Sequence, residues 1–186
     1  MNAPTAKQFI ALEGLPLMWW TLRRFREAMG PELPVTLVLF PGLFAEFAEL
    51  EAKFGPADVA RVVPGGAERF HSVQAGLAEL PDTGVVGIHD AVRPFPDHAV
   101  IRTCFEAAQR SGGAIPVVPV KDSIRDARHG ALDRGQLRAV QTPQCFDLAR
   151  LKAAYDVPYH DRFTDDASVF EAAGHSVELI PGNPDN

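Results

Sequence analysis

An aspartate and an arginine stand three residues apart, directly after a short apolar segment. The segment covers residues 85–88, and the polar pair is Asp90 and Arg93 in the run His-Asp-Ala-Val-Arg-Pro at 89–94. A carboxylate at the carboxyl end of a strand is well placed to hold a divalent cation, and a neighbouring guanidinium can bind phosphate oxygens. An aspartate that ends a strand is more often a turn former or a helix cap, so the pair alone does not establish a metal site.

Two adjacent glycines, Gly65 and Gly66, follow one predicted strand and precede a predicted helix. Backbone N–H groups at the start of a helix lack helical partners. The two glycines could therefore present free N–H groups to a phosphate or to the edge of a base. A plain turn is an equally good interpretation of the pair.

Further polar residues are candidates for the same site, and they are Lys7, Arg134, Thr142 and Thr164. Each has an ordinary alternative. Lys7 and Arg134 could be solvated surface residues, and Thr164 could be an N-cap whose neighbours at 165–166 complement the helix dipole. The candidates gain weight together, because all are expected at one end of one sheet.

Strand-like and helix-like patterns alternate along the chain. Apolar runs rich in β-branched or bulky residues predict strands at 35–40, 59–63, 85–89, 113–120 and 176–180. Apolar residues at helical spacing predict helices at 42–54, 68–80, 97–110, 147–155 and 164–173. The alternation predicts an α/β fold with a mainly parallel sheet and helices on both faces. Such sheets bind ligands at the carboxyl ends of their strands.

The segment 121–138 interrupts this alternation. It is polar and carries a net charge of +2, whereas the rest of the chain sums to −8. A local basic segment on an acidic body suits a small anionic ligand, although a solvated hairpin is the commoner meaning. We expect this segment to leave the sheet.

Composition limits the possible classes of protein. The chain of 186 residues suggests one domain, and its net charge of −6 argues against broad nucleic-acid binding. It contains neither an apolar run of about 20 residues that could span a membrane nor the layout of a secretory signal. Cys104 and Cys145 lack metal-type spacing and are interpreted as reduced core residues. These features predict a cytoplasmic protein.

Six motifs in order carry a resemblance to a known family. They are Ala-Lys-Gln-Phe at 6–9, Gly-Gly-Ala-Glu-Arg with Ser-Val at 65–73, His-Asp-Ala-Val-Arg-Pro at 89–94, Pro-Val-Lys-Asp at 119–122, Gln-Thr-Pro-Gln-Cys-Phe at 141–146 and Thr-Asp-Asp-Ala-Ser at 164–168. Together they closely resemble the 2-C-methyl-D-erythritol 4-phosphate cytidylyltransferases of the non-mevalonate isoprenoid pathway. The match runs over residues 7–186.

The resemblance implies a Rossmann-like nucleotidyltransferase that joins CTP to methylerythritol phosphate, with Mg²⁺, and releases pyrophosphate. By similarity, Lys7 would stabilise the transition state at the α-phosphate as a point charge. Asp90 would hold the metal and contact the ribose of the nucleotide. Gly65, Gly66 and Ser72 would line the cytidine pocket.

The resemblance also implies supporting and substrate-binding residues. Arg69 and Arg93 would support the loops of the site, and Arg134, Thr142 and Thr164 would bind the methylerythritol phosphate. The segment 121–138 would be a protruding β-arm that embraces a second subunit. Arg134 would then serve the neighbouring site of a homodimer.

The chain departs from the family pattern at both ends. Family members begin with a strand and a glycine-rich loop that contacts the triphosphate, and they continue past residue 186 into an Ile-Lys segment and a helix; Ala6 also replaces the usual proline. We therefore expect the single domain 1–186 to be truncated at both ends, with the missing strand in mid-sheet beside 35–40. Unpaired backbone groups cost about 1–3 kcal/mol each if buried, against a typical stability of about 5–15 kcal/mol. The chain as written is expected to be unstable or barely active.

Three other readings are compatible with parts of the sequence. Ribitol 5-phosphate cytidylyltransferase shares the scaffold and the CTP chemistry. A non-catalytic remnant would only dimerise or bind nucleotide; the missing loop favours it, and the retained Lys7, Asp90, Thr142 and Thr164 disfavour it. A glycosyltransferase would need an Asp-x-Asp metal motif, and the sequence contains none.

Overall fold

Helices in the computed structural model, which describes residues 6–186, form where apolar side chains recur on one face. The α-helices are α1 (Leu17–Met29), α2 (Phe44–Phe54), α3 (Arg69–Ala78), α4 (His98–Ser111), α5 (Leu148–Ala154) and α6 (Asp166–Ala172). The strands are β1 (Ala11–Leu12), β2 (Leu15–Pro16), β3 (Thr36–Leu39), β4 (Arg61–Pro64), β5 (Val85–Ile88), β6 (Gly113–Pro119), β7 (Arg125–Asp126), β8 (Gly130–Ala131), β9 (Arg138–Val140), β10 (Gln144–Asp147) and β11 (Glu178–Pro181).

Helix α4 illustrates how the sequence sets these elements. Its buried residues Ile101, Cys104, Ala107 and Ala108 stand three or four positions apart and share one face. The helix ends at Gly112, whose φ of 94° lies in the left-handed region. A glycine there accepts this conformation without a steric penalty, so the chain can turn directly into β6.

The main sheet is mixed. Its strand order is β11-β6-β10-β5, and β9 also pairs with β6. Strand β11 runs parallel to β6, whereas β10 runs antiparallel to both β5 and β6. The predicted α/β fold is confirmed, but the sheet is not mainly parallel. The reason is that the chain leaves the sheet through the segment 121–138 and then returns along β6 as β9 and β10, so both of these strands run antiparallel to β6.

Strands β3 and β4 form a separate parallel pair. Within residues 6–186, β3 pairs with β4 alone and β5 pairs with β10 alone. Residues of both strands, among them Leu37, Val38, Val86 and Ile88, line a cavity of about 540 Å³ that we call the central cavity. Its other walls come largely from α1 and α3. Helix packing therefore joins the two parts of the sheet.

Two apolar clusters correspond to these two parts. Phe146 and Phe170 are fully buried in the cluster formed by α3, α5, α6 and the main sheet. Trp19 belongs to the other cluster, which α1, α2 and β3 form. Phe25 of α1 and Ile101 of α4 pack together and connect the two parts.

The two cysteines lie in the core of the main sheet. Cys104 on α4 and Cys145 on β10 are both free and buried in one small cluster. Burial raises the pKa of the Cys145 thiol well above its usual value. The prediction that both are reduced core residues agrees with this arrangement, and a protonated buried thiol is chemically inert.

The basic segment 121–138 leaves the main sheet as a short antiparallel hairpin. Strands β7 and β8 pair with each other, and a 3₁₀ turn at Arg134–Gln136 leads back into β9. Most of its side chains are exposed. Its role as a dimerisation arm stays a prediction.

Among the helices between residues 6 and 186, none combines the length and the apolar character that a membrane span requires. The cytoplasmic location and the assignment of residues 1–186 to a single domain stay predictions.

Candidate active site

The loop that follows β5 brings Asp90 next to Thr142. Because β10 is antiparallel to β5, the start of β10 lies beside the end of β5, and Gln144 pairs with Ile88. The backbone N–H of Asp90 donates to Oγ1 of Thr142 at 3.4 Å. Two residues predicted from separate motifs therefore meet at one end of the sheet.

Arg93 holds the carboxylate of Asp90 in place. Its Nε donates to Oδ2 of Asp90 at 3.0 Å, and its backbone N–H donates to the carbonyl oxygen of Asp90. Both side chains remain more than one-third exposed. The hydroxyl of Thr21 on α1 donates to the carbonyl oxygen of Ala91 at 3.1 Å and anchors the same loop. The loop therefore presents a fixed, accessible carboxylate.

His89 stabilises this loop through contacts with Arg93 and Phe25. Its Nε2 lies 2.9 Å from the carbonyl oxygen of Arg93, and its ring packs edge-on against Phe25 with centroids 4.8 Å apart. Burial lowers the pKa of His89 to about 4. The ring is thus neutral at pH 7, and its Nε2–H donates to Arg93.

This neutral histidine predicts a loss of stability in acid. Between the ordinary pKa of 6.5 and about 4, the unfolded chain takes up a proton that folded His89 refuses. The contribution of His89 to the free energy of unfolding should therefore be at its maximum above pH 6.5. It should fall by up to about 3 kcal/mol as the pH is lowered towards 4. Urea unfolding of the wild type and of His89→Gln should show a smaller acid loss in the variant. Parallel pH profiles would contradict this assignment.

The loop after β4 is shaped by Gly65 and Gly66. The N–H of Gly65 donates to the carbonyl oxygen of Leu39 at 2.7 Å, and the N–H of Gly66 donates to Oγ of Ser72 at 3.1 Å. Of the two interpretations left open for this pair, the hydrogen bonds favour the turn, because both N–H groups have partners within the protein. The loop folds back onto β3 and onto the first turn of α3, which satisfies both donors, and Ser72 acts as its internal support.

Gly66 cannot be replaced without moving the backbone. A Cβ at Gly66 would overlap the Cβ of His71 and lie 3.2 Å from its carbonyl carbon. We expect Gly66→Ala to lower the free energy of unfolding by about 1–3 kcal/mol in a urea titration. Gly65→Ala is the matched control, because its Cβ would lie 3.0 Å from the side-chain oxygen of Ser72 and no closer than 3.5 Å to any backbone atom among its nearest neighbours. An equal loss in both variants would argue against a backbone clash.

Gln144 connects the segment that contains Thr142 to the segment that contains Thr164. Its Nε2 donates to Oδ2 of Asp165 at 2.9 Å, and its Oε1 accepts from the N–H of Ala167 at 2.9 Å. Asp165 in turn caps α6 in a capping box with Ser168. The two threonines lie within two residues of the bonded pair, so the pair holds their segments together. The capping predicted for this position is made by Asp165 and not by Thr164.

Arg69 and Asp166 form an ion pair in which the carboxylate is buried and the arginine side chain is 39% exposed. Asp166 is 0 % exposed and receives two hydrogen bonds from Arg69, at 3.0 and 2.5 Å. The hydroxyl of Tyr155 donates a third at 2.6 Å. Burial and the charge of Asp166 raise the pKa of Tyr155, and the bond and charge of Asp166 raise the pKa of Arg69 against the effect of its own burial. Sequence reasoning missed this arrangement, since it assigned Asp166 to the helix dipole.

Lys7 lies in the 3₁₀ turn Lys7–Phe9 and is exposed. Its neighbour Ala6 and Ala91, the neighbour of Asp90, pack against the same apolar cluster, in which Phe9 is buried. The turn that carries Lys7 and the loop that carries Asp90 therefore rest on one cluster.

Arg134 is placed differently from the other candidates. It starts a 3₁₀ turn in the arm segment, and its guanidinium donates to the carbonyl oxygen of Lys121 at 2.5 Å. This bond keeps it within the arm. The structure brings together Asp90, Arg93, Thr142 and, through Gln144, Thr164.

Metal-binding capacity at this site rests on one carboxylate. Over residues 6–186, no group of three or more His, Cys, Asp or Glu residues is arranged to hold a metal ion. Asp90 is nevertheless accessible beside the site. Mg²⁺ is commonly held by one or two carboxylates together with substrate phosphates, and a single accessible aspartate fits that mode.

The α/β sheet, with a glycine loop after β4 and an aspartate–arginine loop after β5, fits a nucleotidyltransferase, and the family match shows that class. A model of the family described as IspD, 2-C-methyl-D-erythritol 4-phosphate cytidylyltransferase, matches residues 1–186. The chain belongs to this family. The resemblance deduced from the sequence motifs is thereby confirmed.

Individual relatives agree with the family match. The chain is 40% identical over 189 residues to 2-C-methyl-D-erythritol 4-phosphate cytidylyltransferase of Phocaeicola vulgatus, covering 100% of this chain and 86% of that protein. It is 39% identical over 193 residues to the protein of the same name from Bacillus velezensis, covering 83% of it. The crystal structure of the Thermus thermophilus enzyme superposes with a TM-score of 0.77 at 32% identity, covering 96% of this chain and 85% of that one.

Proposed function

We propose that this chain joins CTP to 2-C-methyl-D-erythritol 4-phosphate, giving 4-diphosphocytidyl-2-C-methyl-D-erythritol and pyrophosphate in isoprenoid precursor biosynthesis. Family membership over the whole chain supports this reaction. The structural observation that carries it is the contact between the Asp90 loop and Thr142 at one end of the sheet. A nucleotide at the Asp90 loop would then lie beside the segment proposed to bind the second substrate.

The reaction is an in-line displacement at phosphorus. An oxygen of the methylerythritol phosphate attacks the α-phosphorus of CTP, and the bond to the pyrophosphate oxygen breaks. Negative charge spreads over the transferring group, so catalysis depends on positioning and on cations near that charge. We assign Lys7 to this role, because it is an accessible lysine on the cluster that also supports the Asp90 loop.

The nucleotide is proposed to bind between the Gly65–Gly66 loop and Asp90. Ser72 and Asp90 both line the central cavity, which places the loop support and the carboxylate around one space. Since the N–H groups of both glycines are bonded within the protein, their contribution is a backbone surface that a base can approach closely. Asp90 would contact the ribose.

A divalent metal, proposed to be Mg²⁺, would be held by Asp90 together with the phosphates of CTP. It would supply positive charge at the phosphate oxygens during the displacement. Arg93 orients the carboxylate through its bond to Oδ2, which leaves Oδ1 open to such an ion. Arg93 and Arg69 are both proposed to support the site and not to touch the reacting atoms.

The methylerythritol phosphate is proposed to contact Thr142 and Thr164, with Arg134 supplied by a second copy of the chain. Arg134 lies on the exposed arm segment 121–138, and this favours a site completed across a homodimer in which each arm reaches its neighbour. The segment would then be both a dimerisation arm and the carrier of a phosphate-binding arginine.

Pyrophosphate release tests the proposal. The departures at its two ends predict a barely active chain, whereas the assembled site predicts that the purified chain releases pyrophosphate from CTP and Mg²⁺ when methylerythritol phosphate is added, and about background levels with ribitol 5-phosphate. Preference for ribitol 5-phosphate would change the substrate. Absence of release with either polyol phosphate would instead indicate a nucleotide-binding remnant.

A further inference from the structure

Asp166 is a buried carboxylate, and its presence in the core needs an explanation because burying a charge is energetically costly. Its carboxylate is 0 % exposed, and removing such a charge from water costs several kcal/mol unless it is fully paired. Here Arg69 gives it two hydrogen bonds and Tyr155 gives it one. The Arg69 side chain is 39% exposed, so its attraction to the carboxylate is partly screened by water and offsets the desolvation of Asp166 only in part; stability alone therefore does not explain the group.

The three residues stand at the ends of three different helices. Arg69 is the first residue of α3, directly after the segment that contains Gly65 and Gly66. Asp166 is the first residue of α6, two residues after Thr164. Tyr155 follows the last residue of α5. One bonded unit therefore links the proposed nucleotide loop to the proposed polyol-phosphate segment.

Aromatic packing reinforces this link. The ring of Phe70, the next residue of α3, stacks on Tyr155 with centroids 4.7 Å apart and on Phe163 with centroids 5.7 Å apart. Phe163 directly precedes Thr164. The segment that leads into Thr164 is thus held to α3 by stacking on one side and by the ion pair on the other.

We infer that the Arg69–Asp166–Tyr155 network is a positioning device that fixes the Thr164 segment relative to the nucleotide loop. The inference rests on the proposed function of the two segments. None of the three residues needs to touch a substrate. Their effect is to keep the polyol phosphate within attacking distance of the nucleotide, and a displacement of about 1 Å between reactants can reduce a rate by about a hundredfold.

The test compares two arginine-to-lysine changes next to the same helix. Arg69→Lys retains the charge but cannot make the paired bonds to Asp166, because an ammonium is a point donor. It should lower kcat/KM for methylerythritol phosphate about 10- to 100-fold and leave KM for CTP within about twofold. Tyr155→Phe removes one bond and should lower the same ratio about three- to tenfold.

Arg61→Lys is the matched control. Arg61 forms an exposed ion pair with Glu79, which caps the far end of α3, at 2.6 Å, so the same chemical change there should leave both kinetic parameters within about twofold. Measurements are made well below the melting temperature of each variant, since a purely structural role would change melting without changing kcat/KM.

Hydrogen exchange gives a second readout that does not need turnover. Peptides covering 157–168 should exchange faster in Arg69→Lys and Tyr155→Phe than in the wild type or in Arg61→Lys. Unchanged exchange together with unchanged kcat/KM would overturn the inference. A wild-type chain that releases no pyrophosphate with either polyol phosphate would overturn the proposed function, and the exchange data would still decide whether the network holds the segment.

Discussion

Asp90→Asn is expected to lower kcat for cytidylyl transfer about 100- to 1,000-fold. The carboxylate is the accessible negative group at the meeting point of the β5 loop and Thr142, and asparagine removes the charge that would hold a divalent cation. Asparagine still accepts the bond from Arg93, so the loop should keep its shape. Steady-state pyrophosphate release at saturating CTP and Mg²⁺ measures the effect.

Asp82→Asn is the control for this change. The side chain of Asp82 is 97% exposed and bonds Lys152 at 3.0 Å, and Asp82 precedes β5 whereas Asp90 follows it, so the two lie at opposite ends of the strand. It should leave kcat within about twofold. If Asp90→Asn retained most of the wild-type kcat, the role of Asp90 in metal and nucleotide binding would be wrong.

Lys7→Ala is expected to lower kcat about 100- to 1,000-fold with a smaller effect on KM for either substrate. A cation that acts on charge formed during the displacement stabilises the transition state more than the bound substrates. Lys7→Arg should recover part of the rate, because the positive charge remains while its geometry changes.

Lys53→Ala provides the comparison for Lys7. Lys53 lies in the last turn of α2 over the ring of Phe54, and its removal should leave kcat within about twofold. Equal, background-level pyrophosphate release by the wild type and by Lys7→Ala would point to a non-catalytic remnant. Circular dichroism of both variants would check that the fold is retained.

Long elements with a clear period were predictable from the sequence. The strand expected at 35–40 is observed as Thr36–Leu39, and the helix expected at 97–110 as His98–Ser111. Helix α1 was not predicted, although the spacing of Met18, Leu22 and Phe25 carries a helical signal. Strand β10 was not predicted, because it has four residues and follows a proline, and its direction depends on β5 and β6.

The site was predictable where a motif is local and was missed where contacts span the chain. The run at 89–94 indicated the Asp90–Arg93 pair, whose members are three residues apart. Arg69 and Asp166 are 97 positions apart, and nothing in their neighbourhoods distinguishes a buried pair from two surface charges. For Gly65 and Gly66, free donors and a plain turn stayed equal alternatives, since no sequence pattern reveals that Leu39 and Ser72 accept their hydrogen bonds.

The central cavity has a consequence for the local stability of the two parts of the fold. Over the described residues 6–186, no ladder joins β3 to β5, and helix packing connects the layer of α1, α2, β3 and β4 to the main sheet; we therefore expect this layer to open at a lower free energy than global unfolding. The Gly65–Gly66 loop belongs to this layer, whereas Asp90 follows β5 of the main sheet and Thr142 precedes β10. A nucleotide bound to both this layer and the main sheet would therefore hold the two together. Its binding free energy would add to the free energy needed to open the weaker layer.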